Sequence, residues 1–129
     1  MDKVVHFEIP ANDMERAQKF YKSIFGWEIN KVPMPGMDYY IVKTVATDEK
    51  QMPMEPGAIN GGMQKRMVPN ESPVLVINVP SLDEYLKKVE TAGGKIVMPK
   101  MQVGDMGLYA RVSDTEGNVI GLWQDLKSS

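Results

Sequence analysis

The sequence lacks cysteine and holds a single histidine, His6, among its 129 residues. The absence of cysteine excludes disulfide bonds, thiolate metal ligands and cysteine nucleophiles. With one histidine, a histidine-rich zinc site is excluded, and a metal would need carboxylates, amides or water as its other ligands. A serine–histidine–aspartate triad would need His6 as its base, yet no G-x-S-x-G motif is present to position a serine.

Other absences narrow the class of protein. The sequence has no apolar run long enough to span a bilayer, no basic patch, no P-loop and no G-x-G-x-x-G motif. The first residues, MDKVVHFEIP, lack the pattern of a signal peptide. The net charge is −2, and 43% hydrophobic with 25% charged residues is an ordinary globular balance. We therefore expect a cytoplasmic protein that binds neither nucleic acid nor membrane.

Two segments have the pattern of amphipathic helices. In NDMERAQKFYKSIFG, Asn12 is the expected N-cap, Glu15 follows as in a capping box, and Gly26 ends the helix. In SLDEYLKKVETAGG, Ser81 and Glu84 form the second capping box. Each helix is apolar on one face only, so each is expected to lie on a β-sheet.

One apolar strand precedes each helix and three follow it, so the predicted pattern is β-α-β-β-β, twice. The caps and two Met-x-x-Tyr pairs match at an offset of 69 residues, and the last strands match at 60 through a shared Gly-x-x-x-Gly-x-x-Gln. This predicts a first module over residues 1–64, a linker over 65–73 and a second module over 74–129. One module cannot bury both faces of its small sheet, so two modules must pair, within the chain or between chains.

From about residue 3 to residue 125 the chain resembles the vicinal oxygen chelate superfamily, which includes glyoxalase I, bleomycin-resistance proteins and extradiol dioxygenases. The segments HFEIPANDMERAQKFYKSIFGWE and YARVSDTEGNVIGLWQ carry the resemblance. It implies an α+β fold in which two tandem β-α-β-β-β modules form a curved, cup-like mixed sheet with helices on its outer face. It also implies a small-molecule ligand in the cup and a homodimer.

The resemblance also bears on metal binding. Metal-dependent members place ligands on the first and last strands of each module, and those positions map to His6, Gly61, Val74 (Leu75 if the register slips by one) and Gly121. Only His6 carries a donor atom, whereas metal sites generally need three or four protein ligands. We therefore expect no metal cofactor, and a divalent metal at His6 is the alternative.

The candidate site follows from strand alternation, which places His6 and Glu8 on one face. They are the candidate catalytic residues, as an acid–base pair, a partial metal site, or simply two polar groups facing a wet cavity. If that face lines the cup, the expected ligand-binding residues are Tyr40, Met63, Val74, Val76, Tyr109, Gly121 and Trp123.

Several of these side chains have a structural alternative. Tyr40 and Tyr109 could instead pack across strands, and Trp123 could belong to the core. Arg111 could pair with an anionic substrate, although a solvated strand residue is the favoured interpretation.

Two functions remain open on the sequence alone, so whether the protein is an enzyme is left undecided. In the first, the cup binds a small organic compound without metal, as bleomycin-resistance-like proteins do. In the second, a glyoxalase-like lyase, isomerase or epimerase acts next to a carbonyl, using His6 and Glu8. A weaker third alternative is a dimerising module with no ligand of its own.

Overall fold

The computed structural model describes residues 1–34 and 37–126, and it confirms the predicted order of elements. The first half contains β1 (Lys3–Ala11), α1 (Met14–Phe25), β2 (Glu28–Met34), β3 (Met37–Lys43) and β4 (Gly61–Lys65). The second half contains β5 (Val74–Asn78), α2 (Leu82–Thr91), β6 (Lys95–Val103), β7 (Gly107–Ser113) and β8 (Val119–Asp125). In the described chain neither helix, of 12 and 10 residues, is long and apolar enough to cross a membrane.

The chain divides into two compact units, of which His6–Pro73 is the N-terminal unit. Its strands lie in the order β2-β3-β4-β1, with β1 parallel to β4 and the other pairs antiparallel. Helix α1 covers one face of this sheet. The buried core between them consists of Ala11, Ile29, Val42 and Met63.

The C-terminal unit consists of Met1–Val5 and the chain from Val74 onward. Its strands lie in the order β5-β8-β7-β6, with β5 parallel to β8 and the remaining pairs antiparallel. Helix α2 covers one face. The buried core beneath it consists of Val79, Leu82, Ala110, Val112 and Leu122.

The N-cap of α1 differs from the sequence prediction by one residue. The Asp13 carboxylate accepts a hydrogen bond from the Arg16 amide at 3.0 Å, and Asp13 has extended backbone angles. The predicted cap, Asn12, instead accepts a hydrogen bond from the Arg66 guanidinium at 3.2 Å. Both residue types cap helices well, so composition alone did not separate the neighbours. The predicted end at Gly26 is confirmed, with a φ of 70°.

Helix α2 begins as predicted, because the Ser81 hydroxyl accepts a hydrogen bond from the Glu84 amide at 3.3 Å. A second acceptor was not anticipated. The side-chain oxygen of Gln124, on β8, accepts from the Leu82 amide at 2.7 Å. Two of the amides that a helix start leaves without internal partners are therefore satisfied, and one bond ties α2 to the sheet.

The turn between β7 and β8 explains part of the motif that carried the family resemblance. One Asp114 carboxylate oxygen accepts from the amides of Glu116 and Asn118, and the other accepts from the Asn118 side chain. These hydrogen bonds lower the pKa of Asp114. Gly117 adopts a φ of 84°, which favours glycine. Asp114 and Gly117 therefore shape the turn that leads into β8.

Candidate functional site

In the C-terminal unit, the sheet face opposite α2 carries the side chains that alternation predicted. Val76 pairs with Gly121 across β5 and β8, and Tyr109 pairs with Trp123 across β7 and β8. Residues directly opposite each other share a face. Val74 lies two residues before Val76 and therefore faces the same way. The structure thus brings these five residues together on one face, and their role in binding remains a prediction.

The choice between Val74 and Leu75 is settled by alternation and burial. Val74 is 3% exposed and shares the face of Val76, whereas Leu75 points to the opposite side of the strand and is 53% exposed. Val74, rather than Leu75, is therefore the residue of β5 that lies on this face, as predicted for the register without a slip.

In the N-terminal unit, two of the predicted ligand-binding residues lie on the other face. Met63 pairs with Ile9 on one side and with Tyr40 on the other. Met63 is fully buried in the core beneath α1, and Tyr40 packs against that core. His6 alternates with Ile9 and so lies on the face opposite α1. The prediction that Tyr40 and Met63 share the face of His6 is therefore wrong.

The error arises from a register slip of one residue in β4. Gly62, rather than Gly61, pairs with Glu8 and shares its face. Because side chains alternate with a period of two, a shift of one residue moves a whole strand's side chains to the opposite face. The predicted ligand position on this strand therefore belongs to Gly62.

Tyr39, which sequence reasoning did not single out, fills the space above Gly62. A Cβ atom built on Gly62 would lie 1.8 Å from the Tyr39 hydroxyl oxygen. From there the hydroxyl lies 3.1 Å from Nε2 of His6, within hydrogen-bond distance. His6, Glu8 and Tyr39 are therefore polar side chains that the structure assembles on this face around Gly62, and Gln64, which is 7% exposed and lies opposite Tyr39 on β4, is a fourth.

The C-terminal unit repeats this arrangement with different partners. The Tyr109 ring lies above Gly121, where a Cβ atom would be 2.7 Å from its hydroxyl oxygen. That hydroxyl accepts a hydrogen bond from Nε of Arg111 at 2.9 Å. Arg111 is only 6% exposed, so the favoured interpretation of Arg111 as a solvated strand residue is wrong.

These matched contacts correct the alignment of the two repeats. Tyr39 is equivalent to Tyr109, and Gly62 to Gly121, because in each unit the ring of the third strand crosses the glycine of the fourth. The sequence signal was ambiguous, since both positions are doubled in the first module, as Tyr39–Tyr40 and as Gly61–Gly62. Only the strand register distinguishes the members of each pair.

Trp123 lies on the predicted face, where its indole ring covers a third glycine. A Cβ atom on Gly107 would be 2.3 Å from the ring. The indole N–H donates to the Asp125 carboxylate at 2.9 Å, and the Asn78 side chain donates to the same carboxylate at 3.3 Å. Trp123 is half-buried, and its indole N–H is fixed by Asp125, which suits an apolar wall.

The electrostatics around His6 favour its neutral form. Burial lowers the pKa of the His6 imidazole below its ordinary value of 6.5, and the nearby Glu8 carboxylate opposes this by raising it. Glu8 is itself 8% exposed. A half-buried histidine and a buried carboxylate thus lie on one face of the strand, a combination that is common at functional sites and makes the pair a candidate site.

The donors on this face do not fit the metal site of metal-dependent relatives. Across residues 1–34 and 37–126, no group of three or more histidine and carboxylate side chains is arranged to hold an ion. The positions equivalent to ligands carry Gly62, Val74 and Gly121, and tyrosine rings cover both glycines. Nε2 of His6, a nitrogen that could bind a metal, lies against the Tyr39 hydroxyl.

Comparison with known proteins supports the family that the fold suggests. Residues 3–44 match the family described as bleomycin resistance protein-like N-terminal. A glyoxylase-like domain-containing protein of Didymella fabae is 32% identical over 116 residues, covering 86% of this chain and 84% of that protein. The chain therefore belongs to the glyoxalase/bleomycin-resistance/dioxygenase superfamily, the vicinal oxygen chelate group.

Other relatives are longer. The protein named glyoxylase CFP32 of Mycobacterium tuberculosis is 32% identical over 120 residues, covering 91% of this chain and 43% of that protein. The anthracycline biosynthesis protein DauV of a Streptomyces species is 28% identical, covering 92% of this chain and 45% of that protein. The chain thus spans less than half the length of these relatives.

The fold of the chain is also similar to the folds of solved structures. A glyoxalase/bleomycin resistance protein/dioxygenase superfamily member from Vibrio splendidus aligns with a TM-score of 0.64, covering 97% of this chain and all of that one. The identity is 13%, so this likeness concerns the fold alone.

Proposed function

We propose that this chain binds a small organic molecule without a metal ion, on the sheet face that carries His6, Glu8 and Tyr39. The observation that carries the proposal is the contact between His6 and the Tyr39 hydroxyl above Gly62. This contact lies beside two positions, His6 and Gly62, to which the family resemblance assigns metal ligands, and this supports the proposal. Binding sites for small molecules are typically apolar with a few placed polar groups, and Val32 and Ile41, which lie opposite Tyr39 and Gly62, add apolar side chains to the polar groups of this face.

The class of ligand is suggested by the relatives. One of them is named for anthracycline biosynthesis. Anthracyclines are polycyclic compounds that carry quinone and phenol oxygens on an apolar ring system. Such a compound matches a face with both apolar side chains and hydrogen-bonding groups. We therefore propose an aromatic, oxygen-bearing compound as the ligand class.

The test is calorimetric titration of the protein, pretreated with EDTA, with anthraquinone-2-sulfonate as a soluble quinone probe. We expect saturable binding that added zinc, nickel, manganese or iron does not strengthen. His6→Ala should weaken binding while leaving the circular dichroism spectrum unchanged. A requirement for added metal, or no binding at all, would contradict the proposal. If His6→Ala unfolds the protein, His6 is structural and the site is wrongly placed.

A glyoxalase-like isomerase is the second candidate, and the environment of His6 is the observation that favours it. A histidine kept neutral by burial can accept a proton from a carbon next to a carbonyl, and Glu8 can stabilise the resulting imidazolium. The substrate to assay is the hemithioacetal of methylglyoxal and glutathione. Turnover that His6→Gln abolishes would favour this candidate, and its absence would leave the binding function.

A homodimer and a cytoplasmic location are further expectations from the sequence that remain predictions. Sedimentation of the purified chain would test the first, and localisation of a tagged chain in its host cell would test the second.

A further inference from the structure

Gln64 on β4 is a buried polar residue of the N-terminal unit that sequence reasoning placed on the other face of its sheet. It is only 7% exposed. It pairs with Tyr39 on β3 and lies two residues beyond Gly62, so its side chain is on the sheet face opposite α1, which also carries His6. Gln64 is therefore part of the candidate site by position.

The side-chain amide of Gln64 makes no hydrogen bond within the residues that the structure describes. Buried polar side chains in folded proteins nearly always have a hydrogen-bond partner, because an unpaired group has lost water contacts that nothing replaces. An amide carries two N–H donors and one carbonyl acceptor. The amide of Gln64 therefore depends on water or on a ligand for its hydrogen bonds.

The amide is also reachable from outside the sheet. Among the described residues, Nδ2 of Asn60 is the one side-chain nitrogen or oxygen that is both fully buried and without a hydrogen-bond partner. The unpaired amide atoms of Gln64 are not fully buried, so they retain some accessible surface. The end of the Gln64 side chain that a ligand can reach is therefore its hydrogen-bonding group.

The C-terminal unit has a glutamine that the repeat motif matched to Gln64, and its environment differs. Gln124 follows Gly121 by three residues, whereas Gln64 follows the equivalent Gly62 by two, so each glutamine lies on a different face of its own sheet. The side-chain oxygen of Gln124 accepts from the Leu82 amide at 2.7 Å and ties α2 to the sheet. Gln124 therefore has a structural partner of the kind that Gln64 lacks in the described chain.

We propose that Gln64 is a specificity-determining residue of this site, and that its amide N–H donates a hydrogen bond to an oxygen of the bound organic compound. Carbonyl and hydroxyl oxygens both accept from an N–H, so this donor suits an oxygen-bearing ligand. A ligand without that oxygen would cover the amide and leave it unpaired, and a site with buried hydrogen-bonding groups disfavours such a ligand. The inference rests on the proposed function, since it presupposes that an organic compound binds this face.

The test is calorimetric titration with two probes that differ only in the quinone oxygens, anthraquinone-2-sulfonate and anthracene-2-sulfonate. A neutral hydrogen bond changes affinity by about threefold to tenfold, so wild type should bind the quinone more tightly by that factor. Gln64→Met keeps a side chain of similar size and removes the amide, so the preference should disappear. Gln124→Met is the matched control: it removes the same amide from the face beneath α2 and should retain the preference.

Folding stability without any probe is a second readout, and it separates a binding role from a structural one. Gln64→Met replaces an amide that has no partner within residues 1–34 and 37–126 by an apolar side chain, so the urea midpoint should stay the same or rise. Gln124→Met leaves the Leu82 amide without its acceptor, so the midpoint should fall. A structural role for Gln64 would instead lower the midpoint in both variants.

A third readout uses wild type alone and does not depend on the folding of a variant. The side-chain amide of Gln64 gives a pair of signals in a proton–nitrogen-15 NMR spectrum. Anthraquinone-2-sulfonate should shift this pair, because the amide N–H exchanges a contact with water for one with a ligand oxygen. A pair that stays unshifted at saturation would place the ligand away from Gln64 and overturn the inference.

The outcomes separate the two proposals. If both probes bind wild type equally, or if Gln64→Met retains the quinone preference, organic binding stands and the role of Gln64 is overturned. A fall in the urea midpoint of Gln64→Met as large as that of Gln124→Met would also overturn it. If neither probe binds wild type, the proposed function fails for this ligand class and the inference fails with it.

Discussion

At residue 62 the absence of a side chain makes room for the Tyr39 ring, and this predicts the effect of the smallest substitution. Gly62→Ala would place a methyl group 1.8 Å from the Tyr39 hydroxyl, so the ring must move away from His6. We expect the free energy of unfolding to fall by about 1–3 kcal/mol, as for other overpacked sites. Urea denaturation measures the loss.

The control for this prediction is the double variant Tyr39→Ala with Gly62→Ala. Without the ring, the added methyl group meets no clash, so Gly62→Ala should have little effect in the Tyr39→Ala background. Equal losses in both backgrounds would mean that something other than Tyr39 crowds residue 62.

His6 predicts a pH dependence of stability. Because burial lowers its pKa in the folded chain, the unfolded chain binds a proton at higher pH than the folded chain does. The contribution of neutral His6 to the free energy of unfolding is therefore fully present above the unfolded pKa of about 6.5. It decreases as the pH falls toward the lower pKa of the folded chain. The slope from one group cannot exceed about 1.4 kcal/mol per pH unit.

Urea denaturation at pH 7.5 and pH 5.5 tests this, because carboxylates titrate mostly below that range. His6→Gln is neutral at both pH values and should lose the difference that wild type shows. A wild-type protein that is equally stable at both pH values would contradict a lowered pKa.

The same residues mark the limit of sequence reasoning at this scale. His6 and Glu8 were identified as neighbours on one face because that depends only on alternation within one strand. Tyr39 was missed because choosing it over Tyr40 requires the pairing register between β3 and β4. That register decides which of the two tyrosines shares a face with His6 on β1, the strand beyond β4. The burial of Arg111 was missed because an isolated arginine in a strand is usually solvated.

At the scale of elements, the start of α1 gives a direct test of the corrected cap. Asp13→Ala removes the carboxylate that accepts from the Arg16 amide and should lower the free energy of unfolding by about 1 kcal/mol. Asn12→Ala leaves that bond intact and should have a smaller effect. Thermal or urea denaturation of both variants would rank them, and the reverse order would restore Asn12 as the cap.

The eight strands and two helices of the described residues were predictable, since each segment has its own hydrophobic period or boundary residue. The register between strands was only half predictable. In the C-terminal unit the single Gly121 and single Tyr109 aligned the strands correctly. In the N-terminal unit the doubled glycines and tyrosines allowed two registers, and the wrong one placed Met63 on the site face.

At the scale of the whole molecule, we predict that this chain binds no metal ion, unlike metal-dependent relatives. We expect tag-free protein to contain no stoichiometric metal and to melt at the same temperature with or without zinc, nickel, manganese or iron. A ligand that binds only the folded state must raise the melting temperature, so the scan is sensitive to any specific site.

His6→Ala is the control for the metal scan. A melting shift in wild type that His6→Ala abolishes would show that His6 holds a metal through donors outside the family's positions. The proposal of a metal-free site would then be withdrawn. A shift of equal size in both proteins would indicate metal binding elsewhere on the chain.

The sequence by itself determined the family and the two β-α-β-β-β modules, because motifs and periods are local properties. Only the tertiary structure decided which glycine and which tyrosine meet His6. That contact joins three strands, and a shift of one residue in one of them reverses its faces. The pairing register between strands distant in sequence therefore decided which side chains lie in the candidate site. The local sequence pattern had already decided the helices and strands that carry them.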